Sequence, residues 1–192
     1  MSTEDERRLI ARLRQGDAAA LDSIYALQRV RVLSYLTRML GDRNLAEDLL
    51  QETFLRLCRF APQLRSDTEL CPWLLTVARN LCRSHFRRAA LDSERQRVLA
   101  AHTPAAPVSP FEALSGSELQ QRLSWALSQL PFDQRELLIL LGVEGLPSET
   151  VAKLLCVSPE ALRQRLSRAR KQLTQLLEPV RPHRLLDTGG DT

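Results

Sequence analysis

The segment Ala100–Pro110, AAHTPAAPVSP, limits what this chain can fold into more than any other stretch. Its three prolines each lack a backbone donor, and each ring clashes with the preceding helical turn, so no regular helix runs through it. With its small residues it reads as a flexible, extended linker. On both sides apolar residues return every three or four positions, the period of a helix packed on one face, and no strand alternation or internal repeat appears. Aromatics are only 5% of a chain that is 44% hydrophobic, so leucine and alanine supply the core, as in helix packing. The expectation is an all-α protein of two small helical domains, 1–90 and 118–178, joined by a linker over 91–117 and followed by a C-terminal tail over 179–192.

Local signals mark the helices. In the first domain a helix with Leu9, Ile10 and Leu13 stops at Gly16. Asp17 is placed to cap a second, which carries Leu21, Ile24, Tyr25, Val32, Leu36 and Met39 and ends at Gly41. Asp42 or Asn44 starts a third, with Ala46, Leu49, Leu50, Phe54 and Leu57 as its stripe and Pro62 at its end. Pro72 sits in the first turn of a fourth, which reaches about Arg88. In the second domain Leu119, Leu123, Ala126, Leu127 and Leu130 share a helix, Asp133 caps DQRELLILLG, and Gly145-Leu146-Pro147 breaks it. Ser148 caps a short helix. Cys156-Val157 then turns, and Ser158-Pro159 open a last helix that ends near Glu178.

Several functional classes lose ground at once. The four cysteines show no CxxC spacing, and none of the three histidines lies near a cysteine pair, so no metal site or cofactor is expected. No nucleophile–base pair or Gly-rich phosphate loop stands out, which argues against an enzyme. The charged start MSTEDERRLI has no apolar stretch, and nowhere do the roughly 18 apolar residues of a membrane span run together. A reduced, cytoplasmic protein without membrane insertion is expected.

The net charge of +4 is too small to imply nucleic acid, but its placement is informative. On the last helix, steps of about 100° put Leu162, Leu166, Ala169, Leu173 and Leu176 on one face. Glu160, Gln164, Ser167, Arg168 and Lys171 lie opposite, flanked by Arg163 and Arg170. SETVAKLL, a short turn and a Ser-Pro start precede it, the layout of a helix-turn-helix whose second helix enters the major groove. The fourth helix shows another basic face, Arg79, Asn80, Arg83 and Arg87, with Trp73 on its border, behind an apolar face of Leu74, Val77, Ala78 and Leu81. Guanidinium groups near an aromatic suit single-stranded nucleic acid, where phosphates need neutralising and bases are unstacked. The third helix differs. Asp48, Gln51, Glu52 and Leu55 point outward together, a strip suited to a protein partner and poorly suited to nucleic acid.

These residues together resemble the extracytoplasmic-function group of the sigma-70 family, and the resemblance covers most of the chain. AEDLLQETFLRL (46–57) resembles the family's polymerase-binding segment, and WLLTVARNLCRSHFRR (73–88) its promoter-melting, minus-ten segment. The stretch from Leu130 to Leu173 resembles its minus-35 module. Three segments in this order around a linker are far more specific than any one alone. The resemblance implies a region 2-like first domain and a region 4-like second. It further implies that the chain binds RNA polymerase core and promoter DNA, has no catalysis of its own, and is held inactive by an anti-sigma factor. It assigns polymerase contact to Asp48, Gln51, Glu52 and Leu55. Minus-ten contact goes to Trp73, Arg79, Asn80, Arg83, Arg87 and Arg88, and minus-35 contact to Glu160, Arg163, Gln164, Ser167, Arg168 and Lys171. Two positions depart from the family pattern: Ser84, where an acid is usual, and Cys156, where the turn often has glycine. A left-handed residue there costs cysteine about 1–2 kcal/mol. The competing reading is a helix-turn-helix regulator with a sensing or dimerising first domain, which needs neither polymerase nor the strip on the third helix.

Overall fold

The computed structural model describes residues 3–99 and 118–178, and within them no strand occurs. The first block comprises α1 (Thr3–Arg14), α2 (Ala18–Leu40), α3 (Arg43–Phe60), a short 3-10 turn (Ala61–Gln63) and α4 (Leu70–Leu99). The second comprises α5 (Glu118–Ser128), α6 (Phe132–Leu138), a π turn (Ile139–Val143), α7 (Ser148–Leu155) and α8 (Pro159–Leu177).

The expected caps of the first block form. Asp17 accepts from Ala19 N at 2.9 Å while Arg12 Nε donates to its carboxylate at 2.8 Å, which also holds that carboxyl below the usual range. Gly41 adopts φ 73° and its N–H closes α2 on Thr37 O at 2.8 Å. Asp42, rather than Asn44, caps α3 by accepting from Leu45 N at 3.1 Å. One cap comes from a distance: Glu6 Oε1 accepts from Leu70 N at 2.7 Å, so α1 caps the start of α4.

Five expectations need correction. The fourth helix does not stop near Arg88 but continues through the first part of the expected linker to Leu99. AALDSERQRVL contains no helix breaker and several strong helix formers, so it stays helical without an apolar stripe, and Leu91 is exposed. The remainder of the expected linker, 100–117, and the tail, 179–192, lie outside the described residues. Asp133 does not cap α6, because Pro131 in extended conformation occupies that position and the carboxylate turns elsewhere. Likewise Pro147, not Ser148, precedes the first helical residue of α7. The expected single helix DQRELLILLG also changes register: Glu144 N donates to Ile139 O at 2.9 Å, an i→i+5 bond, so the run ends as a wide π turn. Leu119 and Leu123 are exposed, whereas Ala126 and Leu127 of the same helix and Leu130 just beyond it are buried as expected.

The two blocks lie against one another. Tyr35, Leu36 and Met39 of α2 and Leu75, Ala78 and Cys82 of α4 belong to the same buried cluster as Leu137, Ile139 and Leu140 of the second block. Burial of these side chains contributes roughly 1.5–3 kcal/mol for each large apolar group. This packing places α6 across α2 and α4, and thereby decides which functional side chains stay open.

Candidate nucleic-acid interface

The last helix is set by its corner. Cys156 is left-handed at φ 55°, ψ 47°, and Val157 N donates to Ala152 O at 3.0 Å while Cys156 N donates to Lys153 O at 3.1 Å. Ser158 Oγ accepts from Ala161 N at 3.1 Å, and Pro159 opens α8 with its φ already helical. The result is the helix-turn-helix that the sequence predicts. Leu162 and Ala169 are buried and Leu166, Leu173 and Leu176 half-buried, which turns the other face outward. Glu160, Arg163, Gln164, Ser167, Arg168 and Lys171 are all exposed on it. Such a face can lay guanidinium and amide groups along base edges and phosphates.

The basic face of α4 is divided. Asn80, Arg87 and Arg88 are exposed. Trp73 is half-buried against the core, so part of its ring is committed to packing. Arg79 and Arg83, expected to track a nucleic-acid strand, are instead occupied by the second block. Arg79 is only 13% exposed, and its Nε donates to Glu136 Oε1 at 2.8 Å. Tyr35 OH donates to the same oxygen at 3.1 Å. Arg83 pairs with Asp133 and lies 5.4 Å over the Phe132 ring, which meets Phe86 edge-on at 5.6 Å. The sequence places these arginines on the correct face of α4 but does not reveal that α6 covers it.

Glu136 is 1% exposed, and burial pushes its carboxyl above the usual range while Arg79, Tyr35 and Arg83 pull it back. Burial also raises the Tyr35 hydroxyl well above its ordinary value, with the Glu136 carboxylate adding to it. The neighbouring Cys82 thiol, fully buried and close enough to feel Glu136, is pushed up to about 12 and is inert as a nucleophile. A second acid repeats the pattern. Glu144 accepts from Ser34 Oγ at 3.1 Å and Arg31 Nε at 3.1 Å, and Arg31 also reaches its backbone carbonyl. Arg135 crosses the other way, donating to Met39 O at 2.7 Å at the C-terminal end of α2, where carbonyls lack helical partners.

Residue spacing gave no hint that Asp133, Glu136 and Glu144 pair with arginines of the first block. One signal was present: Glu136 opens the run ELLILL, and an acid among so many apolar neighbours needs a cation from elsewhere if it is buried.

On α3, Asp48 and Gln51 are exposed and Leu55 is 53% exposed. Glu52 is partly covered and paired with Arg56 at 2.8 Å, which holds its carboxyl below the usual range. Between α2 and α3 lies a groove of about 330 Å³ lined by Leu21, Asp22, Tyr25, Gln51, Phe54, Leu55 and Cys58. An open leucine beside an apolar groove and two acids offers a protein partner an anchor point and a charged rim.

Among the described residues no helix is long and apolar enough to cross a membrane. The sequence matches the family models Sigma-70 region 2 over residues 24–91 and Sigma-70, region 4 over residues 120–173. It is 36% identical to the RNA polymerase sigma factor CarQ of Myxococcus xanthus over 86% of this chain and 94% of that one. It is 31% identical to the ECF RNA polymerase sigma factor EcfG of Rhodopseudomonas palustris over 84% and 86% of the two chains. In structure it is similar, at a TM-score of 0.67 and 28% identity, to the sigma factor RpoE from Bartonella quintana, solved in complex with the anti-sigma factor NepR; the match covers 83% of this chain and 98% of that one.

Proposed function

The chain belongs to the sigma-70 family as one of its extracytoplasmic-function members, and from that membership we propose how its surfaces share the work of promoter recognition. As such a sigma factor it binds RNA polymerase core and directs promoter-specific transcription initiation. Region 4 reads the minus-35 element with α8: Arg163, Gln164, Ser167 and Arg168 lie in the major groove, and Glu160 and Lys171 sit at the two ends of the contact. A well-made bidentate arginine or glutamine contact discriminates bases by about 1–3 kcal/mol. Region 2 holds the melted minus-ten strand with α4. Asn80 and Trp73 meet bases, while Arg79, Arg83, Arg87 and Arg88 neutralise phosphates. Asp48, Gln51, Glu52 and Leu55 of α3 form the polymerase-binding strip.

The domain scheme follows the same division: region 2 over 1–90 and region 4 over 118–178, with 91–117 between them and a tail over 179–192. The protein works in the cytoplasm, where polymerase and promoter are, and supplies recognition rather than catalysis. An anti-sigma factor is its negative partner, a reading supported by the RpoE–NepR complex.

The observation that carries this reading is the exposed outer face of α8 behind a complete helix-turn-helix corner. The α3 strip provides the test that separates a sigma factor from a free-standing DNA-binding regulator. Asp48→Ala combined with Glu52→Ala abolishes co-purification with core polymerase and promoter-specific run-off transcription, with the helical circular dichroism intact. Undiminished core binding in that variant removes the strip from the polymerase interface.

A further inference from the structure

Two of the four arginines assigned to the minus-ten strand carry carboxylate partners, and both partners come from a single turn of the other DNA-binding block. Asp133 and Glu136 lie three apart on α6, on one helical face, as Arg79 and Arg83 lie four apart on α4. The spacing matches carboxylate to guanidinium in two successive places. A strand passing along α4 needs the same two guanidinium groups for its phosphates, and an arginine holds carboxylate and phosphate with the same fork. The Arg79–Glu136 pair is closed off from water, so a phosphate must displace Glu136 outright. Arg83 is 41% exposed and held through one nitrogen, so there a phosphate competes with Asp133 directly. Asn80, Arg87, Arg88 and the α8 face stay open, so the block is selective: it falls on the minus-ten surface and spares the minus-35 surface.

We propose that Asp133 and Glu136 of region 4 are an internal stand-in for promoter-strand phosphates, closing region 4 over the α4 arginines so that the minus-ten strand binds only after the two blocks part. The proposal rests on the assignment of α4 to the minus-ten strand. Phe132 reinforces the closure by stacking under Arg83 and against Phe86. Arg31 and Ser34 add a second fastening on Glu144. The closure is reversible for a physical reason: Glu136 is taken out of water to reach Arg79, and that desolvation offsets much of the attraction it gains. Strand phosphates and polymerase then compete on favourable terms. Apparent affinity for the strand falls in proportion to the open fraction, without any change in the site itself.

The test uses the full chain carrying Asp133→Asn and Glu136→Gln, which keep shape while removing both charges. One readout is affinity for a fluorescein-labelled single-stranded DNA of mixed sequence. The other is the radius of gyration from small-angle scattering, which reports whether the two blocks part. The double variant binds the strand about tenfold more tightly, as expected when a tenfold bias toward the closed form is lifted, and its radius of gyration rises. Adding Arg79→Ala and Arg83→Ala then removes the gain in strand affinity. An unchanged radius overturns the closure. A larger radius without a gain in strand affinity overturns the phosphate-mimic role and lays the fault on the α4 assignment, because the blocks part and the exposed arginines still attract no strand.

Discussion

The basic faces of α4 and α8 have nearly the same ingredients and reach different states. Each is an arginine-bearing side of an amphipathic helix, and each is placed correctly by counting in steps of about 100°. The α8 face is open from Glu160 to Lys171. The α4 face has lost Arg79 and Arg83 to acids 57 and 50 residues further along the chain. Periodicity therefore assigns chemistry to a helix side, but availability is settled by whatever packs on that side. A charged face counts as a binding surface only once its own chain has been ruled out as the occupant.

The sharpest way to test this contrast is to remove the cation that keeps α4 engaged. Arg79→Ala leaves Glu136 buried with the Tyr35 hydroxyl but without its cation, which costs the closed arrangement up to about 3–5 kcal/mol. The radius of gyration from small-angle scattering rises, whereas Arg168→Ala on the open face leaves it unchanged. Equal radii in the two variants would erase the distinction between the faces. Next in size, Arg163→Ala or Arg168→Ala weakens holoenzyme binding to its promoter by about 1–3 kcal/mol and relaxes preference at one base pair. Gel shifts against single-base promoter variants read this directly. A loss spread evenly over all sequences moves that arginine from base reading to phosphate contact. On the still-open part of α4, Arg87→Ala or Arg88→Ala lowers affinity for all sequences alike and reduces the salt slope of strand binding by about one. An unaltered slope takes these residues off the strand.

Much of the fold was legible because it is local. Asp17, Gly41, Asp42, Ser158 and Pro159 act within a turn of their own position, and each does what its side chain or backbone dictates. The turn at Cys156-Val157 was legible for the same reason, whereas the left-handed strain at Cys156 was implied only by the resemblance, whose turn often has glycine there. The unread features are set by distant partners or by helix register. Asp133 is a good capping residue by type, yet Pro131 holds the cap and Arg83 takes the carboxylate. The extension of α4 past Arg88 depends on helix propensity without amphipathicity, which periodicity does not register. The π turn follows from one backbone bond, Glu144 to Ile139, that no residue pattern announces. Of the residues assigned to DNA, sequence reasoning placed their helix sides away from the core and missed the acids of α6 that pair with two of them.

The smallest predicted effect concerns the corner of the open face. Cys156→Gly relieves a left-handed cost of about 1–2 kcal/mol and gives back about 0.5–1 kcal/mol through the looser unfolded chain. A net gain of up to about 1.5 kcal/mol raises the melting temperature by up to about 3–6 °C for a chain of this size. Cooperative thermal unfolding measures it. A lower melting temperature means that the thiol contributes packing which outweighs the strain.

Arg135 gives the meeting of the two blocks its mechanical character. One planar guanidinium holds Met39 O of α2 and, through its other terminal nitrogen, Ser128 O at 2.6 Å and Leu130 O at 3.2 Å in the connection from α5 to α6. Its prongs cannot be re-aimed independently. Ser128 and Leu130 travel with Arg135, so only the Met39 prong spans the joint, and moving region 4 away breaks that one bond while the other two keep the guanidinium aimed for its return. The joint is a latch with a single bolt, kept in line by its own housing.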